Sequence, residues 1–275
     1  MENLALNQQS YQKSDLLYFI QFAKKFQGLE LNYKSIKDSL SNKITLKDIF
    51  QTLNSHNLKM VNLFQLKDFS LCSDNKFKVE IIPTLKEMIN YCYKLESDLI
   101  TVSPSFESRD IPQWKIIRRT KEKLKLLAKI AYKEDIKLGF EFINLPNSSI
   151  PSLKEAKKVM KPLIAQENLG YIIDTFYLEK SGENVEDLID IFKSAAQIYL
   201  IQLADVQKKE KQDPLEINEA QRIIPGRGSF DFKDLFEKVY QNRYRGYYSI
   251  ELHKKPFDYN IFHRFITQIR SIYNQ

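Results

Sequence analysis

The feature that most constrains this chain is a pattern that recurs without any repeat of sequence. A short, apolar, β-rich run is followed by a loop and then by an amphipathic stretch. Eight such runs can be read: Leu4–Asn7, Gly28–Asn32, Met60–Leu63, Leu99–Ser103, Leu138–Phe142, Tyr171–Asp174, Tyr199–Leu203 and Tyr248–Leu252. Most are continuously apolar, as parallel strands covered by helices on both faces should be. Helical spacing fills the intervals. One stretch starts near Ser14 and Asp15 and carries Leu16, Phe19, Ile20 and Ala23. Another starts at Thr45, with Asp48 completing a near capping box. A third runs through Leu85, Met88, Ile89 and Cys92, with Pro83 in its first turn. Further stretches follow at Gln113–Tyr132, Ser152–Met160, Val185–Ser194, Phe232–Val239 and Tyr259–Ile272. Strands alternating with helices in this number predict an α/β fold, a closed (βα)8 barrel.

The chain length of 275 residues suits one such barrel, which typically needs about 250. No Pro/Gly/Ser linker interrupts it, so residues 1–275 are read as one domain. Asp205–Phe230 reads as the longest structureless segment, and loops of that length are usually functional. No run approaches the roughly 20 apolar residues of a membrane span, and Met1-Glu2-Asn3-Leu4 lacks a basic start. A cytoplasmic protein without a membrane partner is the expectation. Cys72 and Cys92 have neither CxxC spacing nor nearby histidines, and Cys92 reads as a core hydrophobe. Histidines occur only at positions 56, 253 and 263, which excludes a His-rich zinc site and argues against a DNA-repair nuclease of the endonuclease IV type. The net charge of +7 owes much to a helix face carrying Arg118, Arg119 and Lys121. No aromatic interleaving accompanies it, so no nucleic-acid partner is expected. Trp114 reads as a core residue in preference to a sugar-stacking one.

Catalytic groups of a (βα)8 barrel sit at the C-terminal ends of its strands. The fifth run ends on Glu141 and the sixth on Asp174. The seventh carries Gln202 and leads to Asp205, and the eighth carries Glu251 and His253. Carboxylates in apolar strand ends are costly unless partnered. Glu141, Asp174 and Glu251 converging on one mouth call for a cation, and oxygen ligands favour Mg or Mn.

The chain resembles the sugar phosphate isomerase/epimerase family of xylose isomerase-like TIM barrels, and among them 2-keto-myo-inositol (inosose) isomerases. The likeness runs through Leu6-Asn7-Gln8, Gly28-Leu29-Glu30-Leu31, Gly139-Phe140-Glu141-Phe142, Asp174-Thr175-Phe176, Arg222-Ile223-Ile224-Pro225-Gly226-Arg227-Gly228, Phe230-Asp231 and Ser249-Ile250-Glu251-Leu252. It implies one divalent metal ion (Mn, Mg or Zn) on Glu141, Asp174, Gln202 and Glu251. Gln202 stands where the family has histidine, which implies weaker affinity and a tilt away from Zn. Tyr177 stands where family epimerases often have another histidine. The implied activity is isomerisation or epimerisation of a sugar, keto-sugar or inosose-like polyol. Glu141 and Glu251 would exchange a proton next to a carbonyl, and Arg222 would steady the developing oxyanion. Asn7, Tyr177, Arg227 and His253 are the candidate substrate contacts. Two other readings share the architecture: a lyase resembling dehydroshikimate dehydratase, and a non-catalytic sugar-binding barrel with a degenerate metal site. A homodimer is left open.

Overall fold

The computed structural model describes residues 3–11, 15–106, 110–163, 165–193, 197–207, 216–253, 259–260 and 263–267. Eight parallel strands close into a barrel: β1 (Leu4–Asn7), β2 (Gly28–Asn32), β3 (Lys59–Leu66), β4 (Leu99–Val102), β5 (Lys137–Glu141), β6 (Leu169–Asp174), β7 (Gln197–Leu203) and β8 (Tyr247–Ile250). Each pairs with its neighbours in the chain, and β8 pairs with β1 to shut the ring. All eight expected strands are present. The largest boundary change is in β3, which runs to Leu66 and not to Leu63 and so carries Gln65 to the mouth.

Two helices escape the sequence pattern for one reason. Tyr33–Ser41 and Thr175–Lys180 follow their strands with no linker, because the last strand residue is also the N-cap. Asn32 accepts from the Ser35 N–H, and Asp174 accepts from the Phe176 N–H. The expected helix Val185–Ser194 is a 3₁₀ turn, Val185–Leu188, followed by a single α-turn, Ile189–Phe192. Ser194 lies outside the described residues. So does part of the final expected helix, whose described residues 259–260 and 263–267 are helical. Asp205–Phe230 is not structureless. Asp205–Val206 and Arg222–Ile223 pair as an antiparallel ribbon, with a 3₁₀ turn at Glu219–Gln221; residues 208–215 lie outside the description. Trp114 is 65% exposed beside the Arg118 guanidinium, which corrects its expected place in the core. No helix among the described residues is long and apolar enough to cross a membrane.

The main core lies between the strands and the surrounding helices. A second, smaller cluster of Leu99, Ile172 and Leu200, with Tyr199 and Tyr247 packed on it, is separate from that core. Strand alternation places Ile172 on the same face as Asp174, and Leu200 on the same face as Gln202. The small cluster therefore forms the apolar floor of the barrel interior, and the layer above it is polar.

Glycines make room for this floor. A Cβ on Gly139 would stand 2.5 Å from Ile172 Cγ1, and one on Gly28 would stand 2.5 Å from Val61 Cγ1. Gly139→Ala is expected to cost about 1–3 kcal/mol through overpacking. Urea unfolding checks this: the midpoint should fall with no change in the slope of the transition.

Candidate active site at the barrel mouth

The polar layer begins with strand register. Asn7 pairs with Glu30 across β1 and β2, and Glu30 with Asn62 across β2 and β3. On the far wall Asp174 pairs with Gln202, and Gln202 with Ser249. Glu30 is fully buried and is the hub of this ring. It accepts from Asn7 Nδ2 at 3.0 Å, from Asn62 Nδ2 at 2.6 Å, and from Gln202 Nε2 at 3.3 and 3.0 Å. Burial, with the charge of Glu251, raises the Glu30 carboxyl to about 7, against the pull of its amide donors.

Above this hub lies a cavity of about 160 Å³. Its walls include Asn7, Gln65, Glu141, Tyr177, Gln202, Glu219, Glu251 and His253. Gln65 Nε2 reaches Glu141 Oε2 at 3.2 Å, and Ser103 Oγ reaches the same oxygen at 3.4 Å. Burial, then the charges of Glu251, Asp174 and Glu30, push the Glu141 carboxyl well above the usual carboxylate range. On the opposite wall Glu251 accepts from Asn7 Nδ2 at 3.1 Å. His253 Nε2 lies 2.7 Å from Glu251 Oε1, and its Nδ1 lies 3.1 Å from Glu219 Oε2. With a carboxylate facing each ring nitrogen, both nitrogens act as donors and the imidazolium is favoured. Glu219 also accepts from the Tyr177 hydroxyl at 2.6 Å. A larger depression of about 740 Å³ lies around Lys86, Tyr93, Glu96, Asp98 and Glu134. It sits at the N-terminal ends of the strands, away from the face where such barrels carry chemistry.

Arg222 is delivered from behind this wall. The ribbon pairs it with Val206. Next to Val206, the buried Asp205 carboxylate holds the following turn by accepting from the backbone N–H groups of Gly226, Gly228 and Phe230 at 3.0, 2.7 and 3.1 Å. The Arg222 side chain is wholly buried. Its guanidinium stands 2.5 Å from Asp174 Oδ2 and lies over the rings of Phe176 and Tyr177 at 4.3 and 4.8 Å.

The structure thus brings Glu141, Glu251, Gln202, Asn7, Tyr177 and His253 to one cavity. Neither Arg222 nor Asp174 lines it. Arg227 is exposed in the turn after the ribbon and is not a cavity residue either. Glu30, Gln65, Ser103 and Glu219 belong to the site and were not expected there. Only Glu30 left a sequence signal: a carboxylate between Leu29 and Leu31 in an apolar run.

The expected metal ligands do not assemble into a cage. Asp174 spends one oxygen on Arg222 and the other on the Phe176 N–H. Gln202 turns its amide nitrogen to Glu30, and its buried Oε1 meets no donor. The opposite amide orientation would set oxygen against carboxylate, so this one is favoured. Among the described residues no group of three His, Cys, Asp or Glu side chains could hold a metal ion. The donor set as arranged does not fit the ion that the resemblance implies.

Comparison with known proteins places this architecture. The model of the xylose isomerase-like TIM barrel matches residues 21–268. The chain belongs to that family. Relatives in the family include an inosose isomerase of Bacillus velezensis, 22% identical over 214 residues, covering 78% of this chain and 74% of the relative. An inosose dehydratase of Clostridium botulinum is 25% identical over 258 residues, covering 84% of this chain and 79% of the relative. Among solved structures of the fold, the IolI protein with a bound zinc atom superposes with a TM-score of 0.80 at 19% identity, covering 98% of this chain and 96% of its own. The 3-keto-D-glucoside 4-epimerase YcjR of E. coli superposes with a TM-score of 0.75 at 15% identity, covering 98% and 100%.

Glu219 supplies a pH test of this wall. Burial pushes its carboxyl up, but the bonds and charges of His253, Arg222 and Tyr177 outweigh burial and hold it at about 2. Its folded value lies below its unfolded one. Its contribution to stability is therefore complete above the unfolded value and is lost as pH falls through the folded one. Unfolding free energy should drop between about pH 4.5 and 2, and Glu219→Gln should flatten that drop in urea titrations.

Proposed function

We propose that this barrel isomerises or epimerises a small keto-polyol, of the inosose or keto-sugar class, by moving a proton at the carbon next to a carbonyl. The observation that carries the reading is the placement of two carboxyl groups, Glu141 and Glu251, on one small polar cavity. The two are held by separate donor sets. Glu251 is fixed by Asn7 and His253, and Glu141 by Gln65 and Ser103. One takes the substrate proton and the other returns one. Support comes also from relatives named inosose isomerase and from the epimerase of the same fold.

The lining suits a polyol. The cavity is smaller than the roughly 300–1,000 Å³ pockets of drug-sized ligands, which favours a substrate of monosaccharide size. Gln9, Gln65 and Lys67 line the same cavity and offer donors to hydroxyls. Gln202 Oε1, a buried acceptor without a donor, is offered to a substrate O–H. His253, an imidazolium between Glu219 and Glu251, would hand a proton to Glu251 once that carboxyl has given its own to the substrate.

A second reading is motivated by the relatives named inosose dehydratase. The same proton abstraction followed by loss of a β-hydroxyl is a dehydration. Incubation of the protein with inososes and keto-sugars in D₂O, followed by proton NMR, separates the cases. The proposal predicts deuterium entering at one carbon beside the carbonyl, with a new stereoisomer or a shifted carbonyl. A product lighter by one water means the dehydratase. Glu141→Gln should lower the rate by about 10²–10⁴-fold. Binding of the sugars with neither exchange nor product would contradict the proposal and leave a sugar-binding barrel.

A further inference from the structure

The cation at the centre of this site is part of the chain. One arrangement takes away a carboxylate that a divalent ion would need, and a second fixes the one candidate ligand that carries no charge. Arg222 holds Asp174 behind the cavity wall at 2.5 Å, and Glu30 holds Gln202 by its amide nitrogen at 3.0 Å. What remains at the mouth is Glu141 and Glu251, each already hydrogen-bonded by neighbouring side chains, and the single neutral oxygen Gln202 Oε1. Three buried carboxylates facing one another are unstable without a positive charge among them. That charge is present: a fully buried guanidinium, lying against two aromatic rings and donating also to the Glu251 carbonyl oxygen at 3.4 Å. A guanidinium keeps its charge on burial more readily than an ammonium does.

We propose that Arg222 takes over the charge-balancing place of a divalent ion, so that this barrel folds and works without a bound metal. The proposal rests on reading the mouth as a proton-transfer site only for the word "works"; its metal-binding half stands independently of any substrate. Arg222 touches no cavity and is a positioning residue. It neutralises Asp174 and, through the Glu251 carbonyl, sets the end of β8.

The test uses the full-length protein, dialysed against EDTA and then titrated with Mn²⁺ and with Zn²⁺. Wild type is expected to give no saturable binding by calorimetry, less than a tenth of an equivalent of metal after gel filtration, and a Tm unchanged by EDTA or metal. In Arg222→Met the buried carboxylates lose their cation. Its Tm should fall in metal-free buffer and then rise by roughly 5–10 °C at a hundredfold excess of Mn²⁺ over its Kd. Arg222→Lys should sit between the two and respond less to Mn²⁺. About one Mn²⁺ or Zn²⁺ per wild-type chain, or turnover lost in EDTA and restored by Mn²⁺, overturns the proposal. An Arg222→Met chain that folds but ignores Mn²⁺ also overturns it. If that variant does not fold, the wild-type titration decides alone. A wild type that binds no metal and turns over no candidate substrate retains this inference and loses the reading of the mouth.

Discussion

Carboxylates crowded inside one barrel cannot all remain charged unless cations lie among them. Here Glu30, Glu141, Asp174, Glu219 and Glu251 share one polar layer and its rim, and the fold answers them with Arg222 and His253. Much of the mouth's construction follows from this. The ribbon after β7 exists to bring Arg222 back across the end of β6 and β7. Asp205 exists in this account as the clamp of that ribbon, gathering the amides of the turn that follows it. The aromatic pair Phe176 and Tyr177 opens the short helix after β6 and covers the guanidinium. Burial makes each of these contacts stronger than it would be in water, and makes the loss of any one costly.

The same layer separates two tasks that the strand ends share in a single ring. Asp174 and Gln202 are turned to structural partners, Arg222 and Glu30. Glu141 and Glu251 are left facing the cavity, each steadied by side chains from another strand or strand end. The floor of Leu99, Ile172 and Leu200 lies below them in the barrel interior. Under the proposed function, a site divided in this way would leave two positioned carboxyl groups for proton transfer, with electrostatic support from behind the wall.

The barrel was legible because its signals are local. Apolar runs, helical spacing and a length near 275 residues all point to one architecture. Glu141, Asp174, Gln202 and Glu251 were legible for a related reason: a polar residue at the end of an apolar strand stands out against its neighbours. Their pairings were not. Arg222 and Asp174 are 48 residues apart, and nothing in either neighbourhood announces the other. Gln202 was expected to present its amide oxygen to a metal ion. Its orientation is set by Glu30, 172 residues away. Glu219 sits in a loop, where no period marks a buried face. Gln65 was hidden by the underestimated length of β3, and Asn32 and Asp174 concealed two helices by ending a strand and capping a helix at once.

The central claim is that a guanidinium occupies the charge-balancing place among the carboxylates of the mouth. A crystal structure of the protein grown in millimolar Mn²⁺, with data collected for anomalous scattering from manganese, tests it most directly. The account predicts no anomalous peak between Glu141, Asp174, Gln202 and Glu251, with Arg222 in hydrogen-bond contact with Asp174 and Gln202 donating to Glu30. A manganese peak ligated by Asp174, with Arg222 displaced from it, would contradict the account.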